Sequence, residues 1–378
     1  MLSPRERVLY ALNHEEPDRV PIFFGTSAAT TMLAPGYERL KAHLGIASET
    51  QVIWRGPQSV LMDEAVLRWS GSDGRPLLSG PAPAPLARNI SENAYVDGWG
   101  SLWERRPDGL YYEVVDSPIY TATIDDLDRF PWPDLAHQSR FVGLREKAKA
   151  IQDAGYAVVA LSGINPWEQT FVSRGMEKSL FDLAGAPDFI LALMRKITDR
   201  MKAGVIALLE EAGDYIDVLV TGDDLGMQNR PMMSPKMYRR MIKPFHIELM
   251  SEIKKRTKAK IFFHSDGNVY SLLGDFIEVG VDLLNPVQVS AGDMGDTARL
   301  KREFGDRLSL CGAIDTQWAL PFGAPDDVRA EVRLRIRDLG PCGGYVLASV
   351  HCIQPDVSPE NVCAMLDEAR KAGRYPLG

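Results

Sequence analysis

The stretch that decides the fold lies at residues 260–285. The apolar run Lys260-Ile-Phe-Phe-His264 is followed by a segment with helical spacing and then by a second apolar run at Asp282–Asn285. Gly280 lies just before the second run, where a helix is expected to end. Short apolar runs that alternate with longer segments of i, i+3, i+4 periodicity predict parallel strands joined by helices. We therefore expect an α/β fold.

The same alternation continues in both directions along the chain. The predicted strands are Val20–Phe24, Ala157–Ser162, Val218–Gly222, Lys260–His264, Asp282–Asn285, Leu308–Gly312 and Tyr345–Ser349. Val66–Asp73 is a weaker candidate for an eighth strand. Eight strands would close a barrel, whereas seven or fewer would suit an open, doubly wound sheet. No glycine-rich nucleotide-binding motif follows any of these strands, so the usual nucleotide fingerprints are excluded.

The composition and charge of the chain exclude several classes of protein. The 378 residues include 43 Lys and Arg against 51 Asp and Glu, a net charge of −8, which argues against a nucleic-acid-binding module. No run of apolar residues is long enough to predict a transmembrane helix, and the N-terminus lacks the apolar core of a signal peptide. The four cysteines show no paired spacing and are expected to be free thiols of a cytoplasmic protein.

The segment 94–119 interrupts the alternation of strands and helices. Two extended stretches flank the turn Pro107-Asp108-Gly109, which predicts an inserted β-hairpin. Its aromatic residues suggest two alternatives, a lid over the substrate or a hairpin packed on the barrel. The residues that would form the lid are Trp99, Trp103 and Tyr112.

Polar or ionisable residues follow almost every predicted strand. In a parallel barrel the carboxyl ends of the strands meet at one face, where active sites lie. The residues that we expect at this face are Thr26, Glu168, Asp223, Asp224, His264, Asp266, Asn285, Gln288, Gln317, His351 and Cys352. Because buried polar groups without partners are costly, this convergence predicts a functional site.

Two pairs among these residues carry ligand types that zinc accepts. His264 and Asp266 lie two residues apart at a strand end, and His351 and Cys352 are adjacent. Three ligands from His264, Asp266 and either His351 or Cys352 would leave one position open for a substrate. The alternative is that both histidines are hydrogen-bonded residues that line a pocket.

Three acidic residues are candidates for acid–base chemistry. Asp223 and Asp224 are adjacent and so point in different directions, which makes a shared proton improbable. Either one could orient a ligand or move a proton, or Asp223 or Asp224 could cap the next helix. Glu168 is a candidate further ligand or acid, or a glutamate in the first turn of a helix.

Several stretches together resemble the uroporphyrinogen decarboxylase superfamily. They are Ser3–Pro21, Thr221-Gly-Asp-Asp-Leu-Gly226, Phe263-His-Ser-Asp-Gly267, Gly280-Val-Asp-Leu-Leu-Asn-Pro-Val-Gln288, Gly312-Ala-Ile-Asp-Thr-Gln317 and the stretch from His351 to Asn361. The resemblance covers nearly the whole chain. It implies one (β/α)8 TIM-barrel domain over residues 1–378, with an N-terminal extension and the inserted hairpin.

The superfamily contains cofactor-free decarboxylases and zinc-dependent methyltransferases that act with corrinoid (cobalamin) proteins. The decarboxylases carry an arginine-rich segment after the first strand, which binds the carboxylates of the substrate. Residues 21–31 occupy that place and contain no arginine. Since carboxylates are best bound by the planar guanidinium fork, a porphyrinogen substrate is disfavoured.

The methyltransferase branch has the pattern H-x-C where this chain has His264-Ser-Asp266, and a late cysteine where it has His351. The resemblance thus implies a ligand set of His264, Asp266 and His351, with Cys352 next to it. Imidazole and carboxylate ligands leave zinc a stronger Lewis acid than thiolates do, which suits polarisation of an oxygen.

From these residues and this resemblance, we expect a zinc-dependent methyltransferase. Its substrate would be a small methoxy or methylamino compound or a small acceptor, and a corrinoid protein would be its partner. Asn285, Gln288, Gln317 and Thr26 would contact the substrate. The alternatives are a cofactor-free decarboxylase and a non-catalytic paralogue that binds a ligand or a corrinoid protein.

Overall fold

The computed structural model describes residues 2–377. The strands are β1 (Gln51–Trp54), β2 (Ser59–Leu61), β3 (Gly74–Leu78), β4 (Arg88–Ser91), β5 (Ala94–Val96), β6 (Leu102–Arg105), β7 (Tyr112–Asp116), β8 (Ala157–Ile164), β9 (Val218–Gly222), β10 (Lys260–His264), β11 (Leu283–Val287), β12 (Ser309–Ile314) and β13 (Tyr345–Ser349). The α-helices are α1 (Pro4–Leu12), α2 (Ala34–Leu44), α3 (Glu64–Ser70), α4 (Ile124–Arg129), α5 (Leu144–Asp153), α6 (Pro166–Arg174), α7 (Met176–Gly185), α8 (Pro187–Ala212), α9 (Pro235–Met241), α10 (Lys243–Lys254), α11 (Leu273–Val279), α12 (Thr297–Phe304), α13 (Ala319–Phe322), α14 (Pro325–Leu339) and α15 (Pro359–Ala372).

Seven parallel strands form the central sheet in the order β13-β12-β11-β10-β9-β8-β3. Consecutive strands are neighbours, as expected when each crossover carries a helix on the outside. The register places His264 opposite both Gly222 of β9 and Asn285 of β11. This register places the last residues of β9 and β10 level with Asn285, two residues before the end of β11.

The segment Pro21–Phe23 closes the sheet into a barrel. On one side, Phe23 N donates to Leu347 O and Leu347 N donates to Pro21 O, both at 2.9 Å. On the other side, Asp73 N donates to Ile22 O at 2.9 Å. The predicted strand at Val20–Phe24 thus occupies the eighth position between β13 and β3, and the predicted (β/α)8 barrel is confirmed.

The prediction of a strand at Val66–Asp73 was wrong. Residues 64–70 form helix α3, and the barrel strand is β3, which begins at Gly74. Gly71 ends the helix with a φ of 72°, a left-handed conformation that glycine adopts without strain. The apolar pair Val66 and Leu67 is buried on one face of the helix and does not alternate as in a strand.

The inserted segment is larger than the predicted hairpin. Strands β4–β7 form a four-stranded antiparallel sheet, of which the β6–β7 pair surrounds the turn at residues 106–111. A second, two-stranded sheet pairs β1 with β2. Both small sheets are inserted before β8, so the barrel itself is unchanged.

Two apolar clusters fill the molecule. The first lies inside the barrel and contains inward-facing strand residues such as Phe23, Val218 and Phe262, and Cys311 is buried among them. The second lies between the strands and the outer helices. In residues 2–377, no helix combines the length and the apolar character that crossing a membrane would require.

Candidate functional site

Three predicted ligands meet at the carboxyl face of the barrel. His264, Asp266 and His351 each offer one ligand atom, and these atoms lie within 4.8 Å of one another. Asp266 Oδ2 is 3.7 Å from Nε2 of His264 and 3.7 Å from Nε2 of His351. Two imidazoles 87 positions apart in the chain are thus joined by one carboxylate.

Hydrogen bonds to Nδ1 orient both imidazoles so that each Nε2 faces Asp266. His264 Nδ1 lies 2.7 Å from Asn285 Oδ1, which can only accept, so that Nε2 keeps its lone pair for a ligand. His351 Nδ1 lies 2.9 Å from Cys352 Sγ. When Nε2 of His351 coordinates an ion, its Nδ1 carries the proton and donates to this sulfur.

The loop that carries Asp266 is held by its backbone. Asp266 N donates to Asp224 Oδ1 at 3.0 Å, and Gly267 N donates to Gln288 Oε1 at 2.7 Å. The loop packs directly on the backbone at Gly226, where any side chain would collide with the Asp266 carbonyl. The carboxylate is therefore positioned before any ion binds.

These residues fit a divalent metal ion. Ligands about 2.1 Å from a tetrahedral ion are separated by about 3.4 Å, close to the two distances of 3.7 Å. Asp266 Oδ1 is buried and has no hydrogen-bond partner. A carboxylate oxygen shielded from water is expected to have a cationic or donating partner, and an ion would supply one.

Without an ion, the three groups pair electrostatically. Burial favours the neutral imidazole of His264, but the Asp266 and Asp224 carboxylates raise its pKa to about 10. Burial also opposes ionisation of Asp266, but the two imidazoles lower its pKa to about 2. Burial lowers the pKa of His351. The arrangement therefore carries an ion pair between His264 and Asp266.

A cavity of about 320 Å³ adjoins this cluster. His264, His351, Glu168 and Asp224 line it together with apolar side chains. Burial raises the pKa of Glu168 to about 7, and Asp224 acts in the same direction. Burial likewise raises the pKa of Asp224. Two predicted acid–base residues therefore face the same space as the imidazoles, and the raised pKa of Glu168 lets its carboxyl group accept a proton near neutral pH.

Asp223 is placed differently from the prediction that it acts as a catalytic group. Its side chain is buried and accepts hydrogen bonds from Trp167 N at 3.0 Å, from Glu168 N at 2.8 Å and from His246 Nε2 at 2.7 Å. It does not line the cavity. Because adjacent residues point apart, Asp224 faces the cavity while Asp223 holds the first turn of α6, which carries Glu168.

Of the predicted substrate-binding residues, none contacts the cavity as expected. Asn285 lies behind His264, and Gln288 supports the Asp266 loop. Thr26 is buried and bonds to Thr30 at 3.0 Å, whereas its neighbour Ser27 lines the cavity. Gln317 is exposed to solvent and lies outside the cavity lining, and its contact with a substrate stays a prediction.

Cys352 does not join the three ligand atoms. Its sulfur is buried against His351, and burial raises the pKa of the thiol to about 12. Of the two neighbours His351 and Cys352, the imidazole joins the cluster with His264 and Asp266, and the thiol lies behind it.

The aromatic residues of the insertion pack against one another and against Trp132. Trp103 stacks on Tyr95, and Trp99 contacts Trp132 edge to face, with ring centres about 6 Å apart in both pairs. The cavity wall is instead completed by Ile53 and Trp54 of β1. Sequence reasoning missed this strand, although the turn signal Gly56-Pro57 after a β-branched run was available.

Comparisons with known proteins agree with the fold. A family model described as "Uroporphyrinogen decarboxylase (URO-D)" matches residues 114–372. A protein named uroporphyrinogen decarboxylase from Alcanivorax borkumensis is 23% identical over 375 residues, which is 96% of each chain. Another of that name, from Thioalkalivibrio sulfidiphilus, is 40% identical over 73 residues, only 19% of this chain and 20% of the relative.

A solved structure is similar over nearly its whole length. It is a methyltransferase from Methanosarcina mazei, with a TM-score of 0.65 and 19% sequence identity. The match covers 98% of this chain and 99% of that one. At this level of identity the likeness establishes the shared architecture.

Proposed function

The chain belongs to the uroporphyrinogen decarboxylase family, and from that premise we propose that it is a zinc-dependent methyltransferase. Its substrate is a small methoxy or methylamino compound or a small acceptor, and a corrinoid protein is its partner. One observation carries the proposal: His264, Asp266 and His351 bring three ligand atoms within 4.8 Å of one another at the carboxyl face of the barrel.

The residues that line the cavity argue against a porphyrinogen substrate. Among the described residues that line it there is no lysine or arginine. Each charge-assisted hydrogen bond to a carboxylate contributes about 1.5–3 kcal/mol of binding free energy. A polycarboxylate would form none of these bonds to a lysine or arginine in this cavity. The absence of arginine at residues 21–31 has the same consequence.

Each group of residues in the site would have a separate role in methyl transfer. Zinc held by the three ligands would supply Lewis-acid chemistry at the substrate oxygen or nitrogen, while the corrinoid partner accepts or supplies the methyl group. Asn285 and Cys352 hold the imidazoles in the ligating orientation. Glu168 and Asp224 hold or move a proton at the substrate, and the apolar wall excludes water.

Metal analysis of protein purified without a histidine tag tests the first step. We expect close to one equivalent of zinc, and a loss of it in His264→Ala and in Asp266→Ala. His43→Ala is a matched control because that imidazole is exposed and far from the cluster in the sequence. Zinc below about a tenth of an equivalent that cannot be restored by reconstitution would overturn the proposal.

Methyl transfer can be tested without the natural partner. We expect the zinc-loaded protein to transfer methyl groups between a methoxylated compound and free cob(I)alamin, observed as the visible spectrum of methylcobalamin. His264→Ala should not. Bound zinc without turnover on any methylated compound would point instead to a non-catalytic, ligand-binding paralogue.

A second candidate function follows from the sequence relatives, which are named as decarboxylases over the full chain length. A cofactor-free decarboxylase of a smaller acid would use Glu168 or Asp224 to protonate the product carbon. It would be insensitive to chelators, whereas the proposed methyltransferase would lose its activity when zinc is removed.

A further inference from the structure

Acidic side chains outnumber basic side chains around the cavity. Glu168 and Asp224 line the cavity, and Asp266 lies 3.7 Å from both imidazoles. The only cationic or potentially cationic side chains that line it are His264 and His351. Three carboxylates therefore face at most two positive charges, within the part of the chain that the structure describes.

A bound metal ion does not reverse this imbalance. Imidazoles that coordinate an ion are neutral, so a divalent ion supplies two positive charges against the same three carboxylates. Without the ion, two protonated imidazoles would supply no more. In both forms, Glu168 and Asp224 have no lysine or arginine partner in the lining, so a further negative charge beside them is poorly compensated, in surroundings where charges are weakly screened.

The remaining wall is uncharged and largely apolar, and the space is small. Its larger apolar side chains are Ile53, Trp54, Leu78, Leu161 and Phe262, and its uncharged polar side chains are Ser27, Ser162, Asn165 and Thr221. A volume of about 320 Å³ lies near the lower limit for small-molecule pockets, roughly 300 Å³. Trp54 belongs to this wall, and a tryptophan ring can contact an alkyl group or a cation favourably. The cavity thus suits a molecule of about one aromatic ring.

Resting on the function proposed for this site, but not on the identity of its metal, we propose that the cavity selects small, largely apolar molecules that are uncharged or cationic and rejects carboxylates. An anion would place a negative charge next to Glu168 and Asp224, where no lysine or arginine lines the cavity to compensate it. A neutral molecule adds no charge, and a monocation can pair with either carboxyl group. This selectivity is opposite to that required by a substrate rich in carboxylates.

Three probes of matched shape test the proposal: para-methoxybenzyl alcohol, para-methoxybenzylamine and para-methoxybenzoate. Their dissociation constants are measured by calorimetry at pH 8 on zinc-loaded and on zinc-free protein. We expect the benzoate to bind at least tenfold more weakly than the alcohol, about 1.4 kcal/mol, and the amine to bind as well as the alcohol or better. Benzoate binding within threefold of the alcohol, or no binding of any probe at millimolar concentration, would overturn the proposal.

Isosteric variants identify the source of the selectivity. Glu168→Gln combined with Asp224→Asn removes two negative charges and keeps both shapes, so the discrimination against benzoate should fall at least threefold. Asp306→Asn combined with Asp326→Asn removes the same charge from side chains that are 76% and 96% exposed and should not change it. Unchanged discrimination in the cavity variant would contradict the proposal, and the single variant Glu168→Gln gives the same test if the double variant does not fold.

Failure of this inference is distinguishable from failure of the proposed function. Zinc-free protein that still ranks the three probes as expected supports the selectivity even if no metal binds. Zinc-loaded protein that transfers methyl groups but prefers the benzoate overturns the selectivity alone.

Discussion

The side chains of Asp223 and His246 share a hydrogen bond of 2.7 Å that is completely shielded from solvent. His246 Nδ1 lies 3.0 Å from the Tyr238 hydroxyl, so that a buried chain of contacts runs from the outer helices to the first turn of α6. Because Asp223 also accepts from Glu168 N, this chain ends at the residue that faces the cavity.

We expect His246→Leu to lower the free energy of unfolding by about 1.5–3 kcal/mol, because it leaves a buried carboxylate without one of its donors. Urea unfolding followed by circular dichroism measures this change. Tyr238→Phe removes only the outer hydrogen bond and should cost about 1 kcal/mol. An equal or smaller loss in His246→Leu would show that the carboxylate does not depend on the imidazole.

Asn285 should control metal affinity although it does not touch the ion. Its carbonyl oxygen fixes the orientation of His264, and removal of such a supporting hydrogen bond typically weakens metal binding 10–100-fold. We expect Asn285→Ala to show this loss in competition with a chromophoric chelator. Gln317→Ala, at an exposed position outside the cavity, should bind zinc as the unaltered protein does.

Cys352 should support His351 and should not bind the metal. Cobalt-substituted protein is expected to lack the intense near-ultraviolet band that a thiolate ligand produces, since the sulfur faces Nδ1 and the ligand atom is Nε2. Cys352→Ser retains an acceptor and should keep most of the affinity, whereas Cys352→Ala should lose about tenfold. A thiolate-to-cobalt band that disappears in Cys352→Ser would instead place the sulfur among the ligands.

Glu168 should make the stability of the zinc-free protein depend on pH. Burial raises its pKa from 4.5 to about 7, so between these values the folded protein binds more protons than the unfolded chain. The free energy of unfolding should therefore fall as pH rises from about 4.5 to 7, by the linkage of proton binding to folding. Glu168→Gln should reduce this slope, and Glu49→Gln, at an exposed position, should leave it unchanged.

The six strands predicted from Ala157 onward match β8–β13 to within two residues at either end. Each is a short apolar run between helices, and buried parallel strands produce this pattern through burial on both faces. Of the two barrel strands that precede them, the first was predicted at Val20–Phe24 and the second, β3, was missed. Pro21–Phe23 makes only a few ladder contacts, and β3 contains Pro76, which weakens its strand pattern.

The candidate site was predictable to the extent that strand ends carry polar residues. His264, Asp266 and His351 could be proposed as ligands because each follows a strand of the same parallel sheet. The roles of Asp223 and Asp224, or of His351 and Cys352, could not be assigned to one member of each pair. Which neighbour faces the cavity depends on the local twist of the loop, and nothing in the order of residues specifies it.

The sequence by itself determined the strand–helix alternation and the chemical types of the groups at the carboxyl face, because hydrophobic periodicity is a local property of the chain. Only the tertiary structure decided that Asp266 lies between two distant imidazoles, that Trp54 completes the cavity wall and that Asp223 supports Glu168 from behind. These are relations between residues far apart in the chain. Their distances are set by how strands and helices pack, which no single stretch of sequence specifies.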